Sequence, residues 1–179
     1  MPTAPGTPSQ TSGPYSGLGL PFPGGGDLVP AGHPGAVALH GLVLDGEGAP
    51  VPGALLEFWQ PGPDGSRAGA PGSLRRDGLT FTGFARVATR GDGHYVLRTL
   101  LPGGVPYVSV CLHVRGLQRH LFTRAYFSEP SDDPLLAAVP EERRGTLLAV
   151  PEKRGAGGCP VYRFDVRLRG EGETVFLTV

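Results

Sequence analysis

From Ala36 onward, apolar and polar residues alternate in short runs that Gly, Pro and Asp interrupt. Alternation puts every second side chain on one face of an extended backbone, so each run reads as a half-buried strand. Val37, Leu39, Leu42 and Leu44 mark the first strand, closed by Asp45-Gly-Glu-Gly48. Further strands are expected over 54–60, 81–89, 94–101, 107–114, 119–127, 161–169 and 174–178. Arg90-Gly-Asp-Gly93 reads as a hairpin turn between the third and fourth strands. Arg115-Gly-Leu-Gln118 and Gly170-Glu-Gly172 separate later pairs, and Pro140-Glu-Glu-Arg-Arg-Gly145 is expected to begin a short helix. Short strands at this spacing, with no long helical period and no internal repeat, predict an antiparallel β-sandwich with at most one or two short helices.

Composition sharpens this picture. Thirty Gly and twenty Pro make up more than a quarter of 179 residues, a level that by itself suggests low complexity. The 39% of hydrophobic residues, gathered in alternating runs, argues instead for strands joined by tight turns. Residues 1–35 have no period; by pattern alone they are either a disordered tail or an extended arm that orders on a partner. Residues 36–179 are expected to form one sandwich domain. Sixteen basic and sixteen acidic residues cancel, which excludes a polyanion-binding surface for nucleic acid or an anionic membrane.

Cys111 and Cys159 are the two cysteines. The opening Met1-Pro-Thr-Ala-Pro-Gly6 has neither a basic segment nor an apolar core, and no apolar stretch approaches the roughly 18 residues a membrane helix needs. The expectation is a cytoplasmic chain with free thiols. His33, His40, His94, His113 and His120 are read as strand or loop residues, with no zinc-type His or Cys spacing. Neither a Gly-x-Ser-x-Gly elbow nor a phosphate loop is present, and Ser9 and Ser12 read as turn formers.

Three segments carry a resemblance. Thr7-Pro-Ser-Gln-Thr-Ser-Gly-Pro-Tyr15, Glu57-Phe-Trp-Gln60 with the Gly-rich turn after it, and Gly170-Glu-Gly-Glu-Thr-Val-Phe176 are together similar to the α chains of two-chain intradiol ring-cleaving dioxygenases. The resemblance implies a β-sandwich and, in the family's catalytic chains, ferric iron held by two Tyr and two His. Counting eight residues from Trp59 puts Arg67 at the first Tyr position, and Pro102-Gly-Gly-Val105 puts Val105 at the second. The His-x-His pair corresponds to Tyr107 and Ser109. The resemblance therefore implies a chain that binds no metal and supplies no catalytic residue itself.

It further implies an assembly of (αβ)n type, in which a homologous β subunit holds Fe(III) and cleaves protocatechuate with O₂ to 3-carboxy-cis,cis-muconate. In that setting residues 1–35 become an arm packed on the partner. Thr11, Gly13, Pro14 and Tyr15, with Arg124 of Thr123-Arg-Ala-Tyr-Phe127, would line the substrate cleft at the subunit boundary. A carboxylated aromatic gains from such donors, because charge-assisted hydrogen bonds are about twice as strong as neutral ones. The plain alternative for Arg124 is a surface-strand arginine whose stem covers an apolar edge; for Tyr15 it is an anchor of the arm. Two rival functions stand beside this one. Gly41-Leu-Val-Leu-Asp-Gly-Glu-Gly-Ala-Pro-Val-Pro-Gly-Ala54 also resembles metal-free transthyretin-like modules, and a self-sufficient iron enzyme would require an intact two-Tyr, two-His set.

Overall fold

Among the described residues, nine strands in two sheets form the body of the molecule. The computed structural model describes residues 6–67, 74, 76–130, 132–152 and 158–178, so residues 1–5 of the expected arm lie outside the described residues. One sheet contains β1 (Val37–Leu44), β4 (His94–Thr99), β7 (Val150–Glu152), β8 (Val161–Arg163) and β9 (Val166–Arg167). The other has the order β3-β2-β5-β6, with β2 at Leu55–Trp59, β3 at Phe84–Ala88, β5 at Tyr107–His113 and β6 at Leu121–Tyr126. Leu39, Val43, Leu56, Phe58, Leu97, Val108, Val110, Leu112 and Val166 fill the space between the sheets. Each large apolar side chain buried there stabilises the fold by roughly 1.5–3 kcal/mol.

The inward set of β1 differs from the expected one. Val37, Leu39, Gly41 and Val43 are buried, while Leu42 and Leu44 are only half-buried and face the other way. Gly41 makes this register workable, because a Cβ there would collide with the carbonyl of Phe164. Phe164 and Asp165 divide the strand expected over 161–169 into β8 and β9, both of which pair with β1 in parallel. The sheet is thus mixed, where a purely antiparallel one was expected. At the break the Leu42 amide donates to Asp165 Oδ1 at 2.9 Å, and the Phe164 amide donates to the His40 carbonyl at 2.8 Å. The ladder therefore stays satisfied across the gap.

The turn at Arg90-Gly-Asp-Gly93 is tight, with the Arg90 amide donating to His94 O at 2.9 Å and Gly93 at φ 76°. It is not a hairpin. β3 pairs with β2 and β4 pairs with β1, so this turn carries the chain from one sheet to the other. Turn residues fix the local reversal, whereas core packing decides which strand each arm joins. The pair β5–β6 is antiparallel across the 115–118 turn as expected.

Residues 24–29 lie against the sandwich. The Leu28 amide donates to Arg98 O, the Arg98 amide donates to Gly26 O, and Leu28 and Val29 are buried. Among the described residues three short helices occur where one or two were expected: α1 (Ser16–Gly19), α2 (Pro134–Ala138) and α3 (Glu141–Arg144), followed by a 3₁₀ turn at Gly145–Leu147. Asp133 caps α2 and Pro134 begins it, a recognisable signal on an element only five residues long. The segment expected as a strand over 174–178 makes one isolated bridge, Phe122 with Leu177.

Candidate functional site

The outer face of the β3-β2-β5-β6 sheet carries Tyr107, Ser109 and Arg124 of the residues singled out from sequence. Tyr107, Ser109, Cys111 and His113 are half-buried on one face of β5, alternating with Val108, Val110 and Leu112 in the core. The pairing register places Trp59, Ser109 and Arg124 in one row across the sheet, and Arg86, Glu57, Cys111 and Phe122 in the next. Side chains in such rows are in direct contact range.

Arg124 is the centre of a polar cluster. Its Nη1 donates to Tyr126 Oη and to Asp133 Oδ2, both at 3.1 Å, and Tyr126 Oη donates to Asp133 Oδ2 at 2.8 Å. Asp133 Oδ1 accepts from the Leu135 amide at 2.9 Å, so this carboxylate both caps α2 and pairs with the arginine. The guanidinium also lies over the Tyr107 ring, and the Tyr107 and Tyr126 rings meet with centroids 5.1 Å apart. Burial pushes the Tyr126 hydroxyl up to about 12, the bond from Arg124 and that to Asp133 acting in opposite directions. Burial disfavours the Asp133 charge, but the bonds from Tyr126 and Leu135 and the Arg124 charge outweigh it, so its pKa is lowered.

Beside this cluster opens a cleft of about 430 Å³, lined among others by Val105, Tyr107, Arg124 and Asp133. The structure thus unites Val105, Tyr107 and Arg124, with Ser109 next to Arg124 in the ladder. Arg67 is exposed and does not line the cleft. The four residues at the expected ligand positions do not make a site for ferric iron. Val105 has no donor atom, Ser109 offers a neutral hydroxyl, and Arg67 is a cation. Tyr107, the one phenol, is covered by another cation.

The arm follows a different path. Thr11 Oγ1 accepts from the Gly116 amide at 2.7 Å, at the β5–β6 turn. Gly13 O accepts from the Ser16 amide and hydroxyl, which starts α1, and Gly17 packs so closely on Gly53 that a Cβ would lie 2.6 Å from its carbonyl. Pro14 and Tyr15 are exposed. Ser109, the ladder partner of Arg124, lies four residues before the end of β5 at His113, about 13 Å of strand at ~3.3 Å per residue, and Thr11 sits on the turn beyond that end. Within one chain, Thr11, Gly13, Pro14 and Tyr15 do not share a cleft with Arg124.

Sequence reading missed the partners of Arg124. Arg124 and Tyr126 are two apart on one strand, a legible pairing; Asp133 lies beyond the strand, and nothing in its spacing points back. Among the histidines, His113 follows Cys111 by two residues on one face of β5. Cys111 Sγ lies 3.4 Å from His113 Nε2, and Glu57 Oε2 lies 4.0 Å from the same nitrogen, so a Cys-x-His pair on one face meets a carboxylate from the neighbouring strand. Burial, with the Glu57 charge, raises the Cys111 thiol to about 11.

Residues 29–116 match a family model described as Dioxygenase. The chain is 41% identical to a protocatechuate 3,4-dioxygenase alpha chain from Burkholderia cepacia, over 100% of both chains. It belongs to the protocatechuate 3,4-dioxygenase alpha chain family. Its similarity to a beta chain of that enzyme from Burkholderia cepacia is lower, 28% identity over 77% of this chain and 66% of the other. Alpha and beta chains are therefore homologues of one another through this sequence. Among solved structures, the dioxygenase domain of a dioxygenase–carbohydrate-binding fusion from Streptomyces sp. SirexAA-E superimposes with a TM-score of 0.56 at 24% identity, covering 92% of this chain and 99% of that one. That likeness establishes the intradiol dioxygenase fold for this alpha-chain homologue.

Proposed function

We propose that this chain is a non-catalytic α subunit that completes the active-site cleft of an iron-bearing β subunit, in a cytoplasmic (αβ)n enzyme that opens the protocatechuate ring with O₂ to give 3-carboxy-cis,cis-muconate. The observation that carries the reading is the cation over Tyr107, at a position where the family's catalytic chains need a metal ligand. A guanidinium held there by Asp133 repels a second cation and leaves no open donor set. Full-length similarity to an alpha chain, arm included, favours this reading over a transthyretin-like module, which needs no such arm.

The chain's own contribution is placement and charge. Arg124 spends both Nη1 hydrogens on Tyr126 and Asp133, which leaves three of its five N–H groups for a further acceptor such as an aromatic carboxylate. Thr11 keeps its hydroxyl proton after accepting from Gly116. Arg124 and Thr11 stand at opposite ends of this stretch of β5, in separate clefts. The arm residues line the Arg124 cleft only where a partner draws the arm toward it or where two copies contribute.

The test is to purify the chain alone and with a β partner, and to measure iron content, visible colour and O₂ uptake with protocatechuate. The chain alone is expected to be colourless and inactive, and the pair active. Stoichiometric ferric iron with turnover in the isolated chain would sink the reading and favour a self-sufficient enzyme.

A further inference from the structure

We propose that Glu57, Cys111 and His113 form a binding site for a zinc-class divalent cation on the outer face of the β2–β5 ladder. Three different elements of geometry meet there. Glu57 and Cys111 are directly opposed in the antiparallel register, and His113 follows Cys111 by two residues on the same face. A carboxylate oxygen of Glu57, the Cys111 Sγ and a ring nitrogen of His113 all lie within 4.8 Å of one another. Zinc bonds of ~2.0–2.3 Å at tetrahedral angles require donor atoms roughly 3.4–3.6 Å apart. The observed Sγ to Nε2 separation is 3.4 Å and Oε2 to Nε2 is 4.0 Å, so small side-chain rotations close the set around an ion.

The carboxylate is already oriented. Arg86 holds Glu57 through Oε1 alone, with Nε and Nη2 both 2.7 Å away, which leaves Oε2 turned to His113. Fixing one carboxylate oxygen while the other ligates is how outer partners tune metal sites. With the thiol proton released to solvent on binding, Arg86, Glu57 and Cys111 together carry one net negative charge, which favours a cation. A thiolate, an imidazole and a carboxylate suit Zn²⁺ and exclude Mg²⁺ and Ca²⁺, which take oxygen ligands. His120, whose ring centroid is 5.5 Å from that of His113, stands beside the fourth position, and water fills it otherwise. The donors sit on central strands of a packed sheet, a rigid platform for a site.

The experiment uses the full chain purified with its β partner, treated with chelator, dialysed against micromolar Zn²⁺ and analysed for zinc and iron separately. One zinc per chain is expected, absent in Cys111→Ala and in His113→Ala, with the iron content unchanged in both. Arg86→Gln is expected to weaken zinc binding about 10–100-fold. Phe122→Leu, in the same cross-strand row as Cys111 but offering no donor, keeps the zinc and controls for folding. Bound zinc also shields Cys111 from alkylation while Cys159 still reacts. Equal zinc in Cys111→Ala and in the parent chain, no zinc at micromolar concentration, or Cys111 alkylated equally with and without zinc overturns the proposal. Because iron is counted independently, its loss or presence bears on the subunit assignment and not on this site.

Discussion

The guanidinium carbon of Arg124 lies 4.0 Å from the centre of the Tyr107 ring, close enough for the ring's negative face to hold the cation. Asp133 balances that positive charge. The cluster around this cation ties β6 to the start of α2.

Replacing Arg124 by Ala should therefore cost stability as well as activity. Asp133 would lose its charge partner while half-buried, and the Tyr107 ring its cover. A loss of about 1.5–3 kcal/mol is expected, the range for a hydrogen bond to a charged group. Urea unfolding of the chain checks this, with Arg119→Ala as control. Arg119 is exposed and lies before β6, outside the regular strand, and its loss should stay within ~0.5 kcal/mol. Equal effects of the two substitutions would mean that the cluster contributes little.

Acid should weaken the fold through His94. Its Nε2 lies 3.0 Å from His40 Nδ1, and His40 Nε2 is 3.0 Å from Glu152 Oε2. Burial lowers the His94 pKa, followed by the charges of His40, Arg90 and Arg163; Asp92 opposes them. The folded chain then binds fewer protons than the unfolded one, so stability rises with pH in this window. It is full above the unfolded value of about 6.5 and falls as pH drops below it, until His94 protonates in the folded state. Unfolding midpoints between pH 7.5 and 5 should fall with pH, and less steeply in His94→Gln. Identical slopes for the two chains would remove His94 from the account.

Gly41→Ala should damage the mixed sheet. The added Cβ would strike the Phe164 carbonyl, where β8 gives way to β9 alongside β1. Overpacking at such a site costs about 1–3 kcal/mol. Gly19→Ala, with nothing within 4 Å of its Cβ, is the matched control. A thermal melt unchanged by Gly41→Ala would show that the strand shifts freely past the break.

Without a partner the chain should self-associate. Tyr15 is 75% exposed, Leu18 80% and Leu20 47%, which places three large apolar side chains on one short segment of the arm. Exposed clusters of this kind mark interaction surfaces. Light scattering should show association that weakens in Tyr15→Ser/Leu18→Ser. A monomer stable to concentration would count against an arm that packs on a partner.

The alternation of apolar residues determined by itself where most strands lie, because burying one face of an extended backbone requires a period of two. β5, β6 and the limits of β1 were legible for that reason. Tertiary structure alone decided which strands pair. The Arg90–Gly93 turn reverses the chain whichever sheet follows, and only core packing sends β3 and β4 to opposite sheets. Parallel pairing of β8 and β9 with β1 likewise depends on a carbonyl approaching Gly41 across more than a hundred residues. The same holds for the chemistry. Asp133 reaches Arg124, and Glu57 reaches Cys111 and His113, through folded-state proximity, which local spacing does not encode.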